Sequence, residues 1–366
     1  MRALTFQGTE IVETRNDVAD PVLQSNSDVV VAVHRAGICG SDLHQYHGRE
    51  PVRPGTVPGH EFFGEVVAVG SEVRNFQMGE SVFAPFTTSC GECFFCRDGL
   101  SSRCEHWQLF GYLPPEDEVD MGRGIQGAQA EFVRVPLADS TLLPSRGLSA
   151  EEALLLGDNF TTGFFCADQA AIRTDGITVV IGCGSVGLCA IVAARHLGAE
   201  RVVAVDLVES RQRRASELGA MTASPDDAPA LVSELAAKTG QIGADSVLEA
   251  VGHPSAQKLA FDLVRPGGVI SAIGVHTSEH FSFSPTDAYD RNVTYRAGRC
   301  PVRSYLDRML KLVESGDLAI PVEQIVTESR LPLSQGEEAY RRFAARSEDC
   351  VKILLDPRAE GADSSA

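Results

Sequence analysis

Short apolar runs broken by Gly and Pro dominate residues 1–150. VVVAVHRAGIC (29–39), EFFGEVVAVGSEV (61–73), ESVFAPF (80–86) and QAEFVRVP (129–136) each hold β-branched or aromatic residues over strand length. Dense punctuation between Gly48 and Pro58 separates the first two. That pattern predicts a β-rich region. The stretch 112–127 is polar and glycine-rich and reads as a loop. From Ser149 the period changes. Ser149 with Glu152 three residues on is a capping signal, and helical apolar spacing follows.

Beyond Gly176 strands and helices alternate. ITVVIG, RVVAVD, ADSVLEAVG and GGVISAIG read as strands, and SVGLCAIVAARHLGA, SRQRRASELGA and AQKLAFDLV as the helices between them. Strands alternating with helices of this length imply βαβ units and a parallel, doubly wound sheet. After about Asn292 the texture shifts again: YLDRMLKLVESG (305–316) reads as an amphipathic helix and CVKILLD (350–356) as a closing strand. The tail, 357–366, is small and polar and is expected to be disordered. The fold class expected is therefore α/β. A Rossmann-type domain, residues 151–292, is inserted into a β-rich domain made of 1–150 plus 293–366.

Charge and length exclude several functions. A chain of 366 residues suits two domains. A net charge of −18, with no Lys/Arg run, argues against a nucleic-acid surface or an anionic membrane surface. Residues 177–194 carry no charge over eighteen positions, but Gly182, Gly184 and Gly187 interrupt them. Strand, turn and buried helix explain the run better than a membrane span. The opening MRALTFQGTE has no apolar leader signature, which points to a cytoplasmic protein.

Two clusters carry chemistry. Cys90, Cys93, Cys96 and Cys104 form C-x2-C-x2-C-x7-C. Four thiolates complete a tetrahedral zinc shell, and a closed shell is structural. A disulfide knot is disfavoured in a reducing compartment. The bacterial iron–sulfur pattern would require x3-C-P where this chain has a gap of seven. The second cluster, Gly182-Cys183-Gly184-Ser185-Val186-Gly187, is G-x-G-x-x-G between a strand and a helix. Gly182 permits the turn, Gly184 the approach of a pyrophosphate, and Gly187 close helix–strand packing. Asp206 ends the next strand. A carboxylate there accepts from both ribose hydroxyls and repels a 2′-phosphate, which predicts NAD over NADP. Arg211 complicates this, because it could bind a 2′-phosphate.

Cys39 in GICGSDLH and His60 in PGHEFFGEVVAVG stand beside glycines at predicted strand edges. Both side chains suit Zn²⁺, although each residue alone has an ordinary packing explanation. With these segments, the four-cysteine lobe, GCGSVG and Asp206 in that order, residues 1–356 resemble a zinc-containing medium-chain dehydrogenase of the alcohol dehydrogenase superfamily. The segments GDNFTTGFF and GRCPVRSY resemble its bacterial formaldehyde-dehydrogenase-like branch.

The resemblance implies a GroES-like outer domain, two zincs per chain, NAD and a small alcohol or aldehyde substrate. It makes Cys39 and His60 ligands of a catalytic zinc. Where many members carry a third Cys, this chain has Asp158, a harder donor that should leave the metal a stronger Lewis acid. Glu61 matches the family glutamate beside the metal. Ser41 matches the hydroxyl that accepts the alcohol proton, and His44 the relay towards solvent, with His47 as an alternative. Thr162 matches a residue at the nicotinamide face, and Phe86 a pocket wall. A homo-oligomer, dimer or tetramer, is expected. Glutathione-linked formaldehyde and sorbitol- or threonine-type polyol dehydrogenases are neighbouring readings. A zinc-free quinone reductase and a non-catalytic relative fit the ligand set less well.

Overall fold

A computed structural model describes residues 1–116, 124–346 and 349–359. Part of the expected 112–127 loop and most of the expected disordered tail lie outside them. The chain divides into two compact units: Met1–Asp158 with Pro301–Leu310 and Val326–Ala366, and Asn159–Cys300 with Lys311–Ile325.

The first unit is built on a seven-stranded sheet. Its path runs Glu328–Pro332, Ile353–Asp356, Val29–Ile38, Phe62–Val69, Ser81–Phe83 and Leu143–Pro144, with Phe132–Val135 also paired to Val29–Ile38. The predicted strands in 29–39, 61–73, 80–86, 129–136 and 350–356 are all present. Val29–Ile38 is central, which explains its nearly unbroken apolar run, whereas Phe62–Val69 alternates because one face is less covered. Val31, Val33, Phe62, Val66, Val82 and Phe110 form one core cluster. Burying a side chain of this size stabilises by about 1.5–3 kcal/mol. A separate hairpin, Ala3–Gly8 with Ile11–Arg15, packs Leu4 and Phe6 with Tyr340 and Phe343.

Six parallel strands make the second unit. Their order is Met221–Ala223, Arg201–Val205, Ile177–Ile181, Ala244–Glu249, Val264–Ala272 and Thr294–Ala297. The chain winds outward from Ile177–Ile181 in one direction, then restarts beside it at Ala244–Glu249 and winds the other way. That reversal is the topological switch point, where the carboxyl ends of the strands leave a crevice. Ile177–Ile181 is buried at every residue, as a central parallel strand must be.

The helical spacing after Ser149 resolves into two helices. Ala150–Gly157 opens with the capping box of Ser149 and Glu152, and Asn159–Gln169 follows. Asp158 interrupts them with φ −148° and ψ −78°.

Candidate metal centre and dinucleotide cradle

The first helix ends close to the Ala84 backbone: a Cβ on Gly157 would lie 2.6 Å from the Ala84 carbonyl. The kink carries the buried Asp158 carboxylate to the end of the strand that leads into Cys39. One carboxylate oxygen lies 3.6 Å from Cys39 Sγ and 3.4 Å from His60 Nε2. Ligand atoms of Cys39, His60, Glu61 and Asp158 all fall within 4.8 Å of one another, and all four residues are buried. The donor set suits zinc: a thiolate, an imidazole and a carboxylate converge where no disulfide forms.

Two residues that the sequence did not mark organise this centre. Asp42 accepts from the Cys39 backbone N–H at 3.0 Å and lies 3.1 Å from His60 Nδ1. It thereby fixes the imidazole with Nε2 turned to the cluster, as outer-shell carboxylates do for metal-bound histidines. Lys352 is fully buried, and its Nζ donates to Glu61 Oε1 at 2.6 Å. Glu61 in turn needs Gly37, where a Cβ would sit 1.9 Å from its Oε2. A buried ammonium beside a buried carboxylate balances the charge that the third acid adds to the site.

Electrostatics follow from that crowding. Burial, then the charges of Glu61 and Asp158, raises the Cys39 thiol. Burial opposes a charge on His60, but Asp42 and Asp158 outweigh it and raise its pKa well above the usual value. Burial likewise opposes the Asp158 carboxylate, yet His60 and Lys352 bring it down to about 2. Lys352 is raised, since Glu61, Cys39 and Asp158 outweigh its burial.

Ser41 Oγ stands 3.3 Å from His60 Nε2. His44 is half-buried on the helix Asp42–Tyr46, its backbone N–H bonded to the Ser41 carbonyl at 3.0 Å and its Nδ1 buried with no hydrogen-bond partner among the described residues. Burial, then the charges of Arg49 and His47, lowers its pKa. His47 Nδ1 is paired with Glu10 at 2.9 Å. The Phe86 ring meets His60 edge-on, with centroids 6.3 Å apart.

Cys90, Cys93, Cys96 and Cys104 also converge within 4.8 Å. Sulfurs around one tetrahedral zinc stand about 3.8 Å apart, given Zn–S bonds near 2.3 Å. Backbone N–H groups of Cys90 and His106 point to Cys104 Sγ at 3.2 and 3.3 Å, and that of Cys93 to Cys90 Sγ at 3.3 Å. Cys93 is lowered to about 6, first by the Glu105 and Cys96 backbone and then by neighbouring thiols. Burial pushes the Cys96 thiol up to about 12 and raises Cys104 as well, so a cation would have to draw the protons from both.

In the second unit the glycine motif forms a cradle. Gly182 has φ +92°, and a Cβ on Gly187 would lie 1.7 Å from the Gly182 carbonyl, so helix and strand pack at glycine distance. Gly184 faces open space and precedes the helix Ser185–His196, whose first turn holds Ser185, Val186 and Gly187. The free N–H groups there suit a pyrophosphate. Asp206 accepts from Cys183 N–H at 2.7 Å and from Val208 N–H at 2.9 Å, so it ties the two loops together. The charge of Arg211 reaches the Cys183 thiol. A shallow groove of about 450 Å³ lies at these strand ends, lined by Leu207, Gln212, Thr222 and Leu231 among others. Thr162 is half-buried on the helix Asn159–Gln169 of the same unit. No helix among the described residues is long and apolar enough to cross a membrane.

Comparison with known proteins agrees with this chemistry. The alcohol dehydrogenase GroES-like domain matches residues 25–145, and the zinc-binding dehydrogenase domain matches 185–315. Zinc-type alcohol dehydrogenase B of Aspergillus flavus is 40% identical over 94% of this chain and 79% of its own. A zinc-binding alcohol dehydrogenase of Mycobacterium tuberculosis is 38% identical over 98% of this chain and 89% of its own. The solved alcohol dehydrogenase of Thermus sp. ATN1 is 39% identical, covers 97% of this chain and 99% of its own, and superposes with a TM-score of 0.87. The formaldehyde-oxidising branch stands further off, with a glutathione-independent formaldehyde dehydrogenase of Bacillus subtilis at 29%. With both domains matched in order and relatives aligned along nearly the whole chain, this protein belongs to the zinc-type alcohol dehydrogenases of the medium-chain dehydrogenase superfamily.

Proposed function

We propose that this chain oxidises a small alcohol, or reduces the matching aldehyde, with zinc and NAD. The observation that carries the reading is the convergence of Cys39, His60 and Asp158 within one ion's reach. Zinc there supplies Lewis acidity, and NAD supplies the acceptor for the hydride leaving the alcohol carbon. Cys39 and Asp158 contribute two negative charges, so the ion is formally neutralised by its ligands. Asp42 keeps the His60 lone pair turned inward, and Glu61, tethered by Lys352, is a reserve carboxylate beside the ion.

Ser41 Oγ takes the alcohol proton and passes it towards His44. The lowered pKa and unpartnered Nδ1 of His44 suit an acceptor that stays neutral near pH 7. Gly182, Gly184, Ser185, Val186 and Gly187 hold the pyrophosphate, and Asp206 takes the adenosine ribose. Its carboxylate favours NAD over NADP, with Arg211 beside the same ribose and Thr162 at the nicotinamide end. We assign the substrate and the metals to 1–150 with 293–366, joined by Asp158 from the border segment, and the dinucleotide to 151–292. Cys90, Cys93, Cys96 and Cys104 hold a second, structural zinc. Metal-binding thiolates call for a reducing compartment, so we place the protein in the cytoplasm. The sheet ends at Thr294–Ala297 with one edge unpaired among the described residues, which suits a dimer or tetramer.

The test is a panel of alcohols and aldehydes with NAD⁺ and NADP⁺, with and without glutathione, together with metal analysis. Two zincs per chain and NAD⁺-linked turnover are expected. One zinc and no turnover on any substrate would leave a structural relic; no zinc would leave a reductase.

A further inference from the structure

Glu249 is the last residue of the strand beside the switch point, and its side chain is fully buried. Each oxygen is occupied. Oε1 accepts from the backbone N–H groups of Val251 and Gly252, both at 2.8 Å. Oε2 stands 2.8 Å from Nε2 of His276, an imidazole 20% exposed on the loop after the next strand, Val264–Ala272. The Glu249 carbonyl also accepts from Ile273 N–H at 3.0 Å. One carboxylate therefore fastens two loops that leave adjacent parallel strands.

Those loops meet at backbone distance. A Cβ on Gly274 would lie 2.1 Å from Gly252 N, and one on Gly252, whose φ is +75°, would lie 2.4 Å from the Val275 carbonyl. The first loop abuts the phosphate turn as well: a Cβ on Gly182 would meet Val251 Cγ2 at 2.6 Å. The Glu249–His276 pair is thus joined by contact to the pyrophosphate cradle. Topology gives the direction. Asp206 and the shallow groove lie at the strands wound to one side of Ile177–Ile181. A dinucleotide with its adenosine there and its pyrophosphate on Gly184 extends its other half across Ala244–Glu249 and Val264–Ala272. The exposed Val275, next to His276, offers an apolar surface on that side.

We propose that His276, acting through Glu249, is a positioning residue for the nicotinamide half of the cofactor. Its imidazole holds the 273–276 backbone in the place where that half is received. This rests on the dinucleotide reading above and concerns only the half that Asp206 does not hold. Removing the imidazole strips a charge-assisted hydrogen bond from a buried carboxylate, so the two loops lose their shared anchor.

Binding of NADH, read by its fluorescence, and of ADP, read by calorimetry, separates the two halves in the full-length protein. His276→Ala is expected to weaken NADH by roughly tenfold, the cost of one charge-assisted bond, while ADP affinity stays within about twofold. His276→Gln, which restores an N–H donor to Glu249, is expected to recover most of the loss. Unchanged NADH affinity in His276→Ala would overturn the proposal. So would an equal loss for NADH and ADP, which would mark a general loosening of the domain, or a glutamine variant no better than alanine. A wild type that binds neither NADH nor ADP would overturn the dinucleotide reading itself, and this role with it.

Discussion

Asp42 holds His60 by Nδ1 and Cys39 by its backbone N–H, so one carboxylate orients two of the proposed metal ligands. Asp42→Asn should lower zinc affinity at this centre by roughly 10–100-fold, with NADH binding unchanged. Competition against a chromophoric chelator measures it, and undiminished affinity would deny Asp42 the orienting role. A second residue gives a pH prediction. His44 is lowered by burial, then by Arg49 and His47. The unfolded chain takes up the proton near pH 6.5, while the folded chain resists it to lower pH. The contribution to stability is therefore full above the unfolded pKa and is lost as pH falls through the folded one. The thermal midpoint should drop as pH falls below about 6.5, and less steeply in His44→Gln. Parallel slopes would remove His44 as the cause. Cys39, His60 and Asp158 were legible in the sequence because each sits in a recognisable segment. Lys352 was not, because 291 positions separate it from Glu61 and nothing local marks a lysine in CVKILLD as buried. Asp42 reads locally as an acid in the first turn of a short helix, and only folding brings His60 to it.

Among the elements, the strand–turn–helix around Gly182 allows the sharpest contrast. Gly187 has no room for a methyl, with the Gly182 carbonyl 1.7 Å from any Cβ, whereas Gly184 faces open space. Gly187→Ala should force the helix off its strand and lower both the thermal midpoint and NADH affinity. Gly184→Ala should leave the midpoint nearly unchanged and weaken NADH alone, because the methyl occupies the approach of the pyrophosphate. Thermal melts beside fluorescence titrations distinguish the two, and identical behaviour would mean that Gly184 serves packing and not the cofactor. The inner βαβ elements were readable because a covered parallel strand is an unbroken apolar run, as in ITVVI. The sheet margins were not. Thr294–Ala297 lies at the edge and is largely exposed, so no apolar pattern marks it. Met221–Ala223 is only three residues long. The split at Asp158 was also hidden, since helical spacing runs through it.

At the scale of the whole chain, the two candidate metal sites differ in what their loss should do. The four-cysteine lobe is tied to the first unit beside its root: Ser89 N–H donates to Thr141 Oγ1 at 3.2 Å, and Ser89 Oγ to the Ser140 carbonyl at 3.2 Å. The Arg303 guanidinium donates to that same carbonyl at 3.1 Å, and Ser304 N–H to Ser101 Oγ at 3.3 Å. Residues 90–104 offer little apolar burial of their own, since the three-residue turn and the four-residue helix between the cysteines leave Phe94 exposed. A metal must then supply the ordering energy that a core supplies elsewhere. Cys104→Ser opens the shell at its fully buried corner. It should cut zinc to one per chain and lower the thermal midpoint, by ~2–4 °C for each kcal/mol lost in a unit of this size. Limited proteolysis should begin within 90–104, while ADP and NADH bind as before. His60→Ala should produce the opposite pattern: one zinc lost, the lobe still protected, NADH still bound and alcohol oxidation abolished. Should both variants lose both zincs together, the sites are not independent, and the division into one structural and one chemical metal fails.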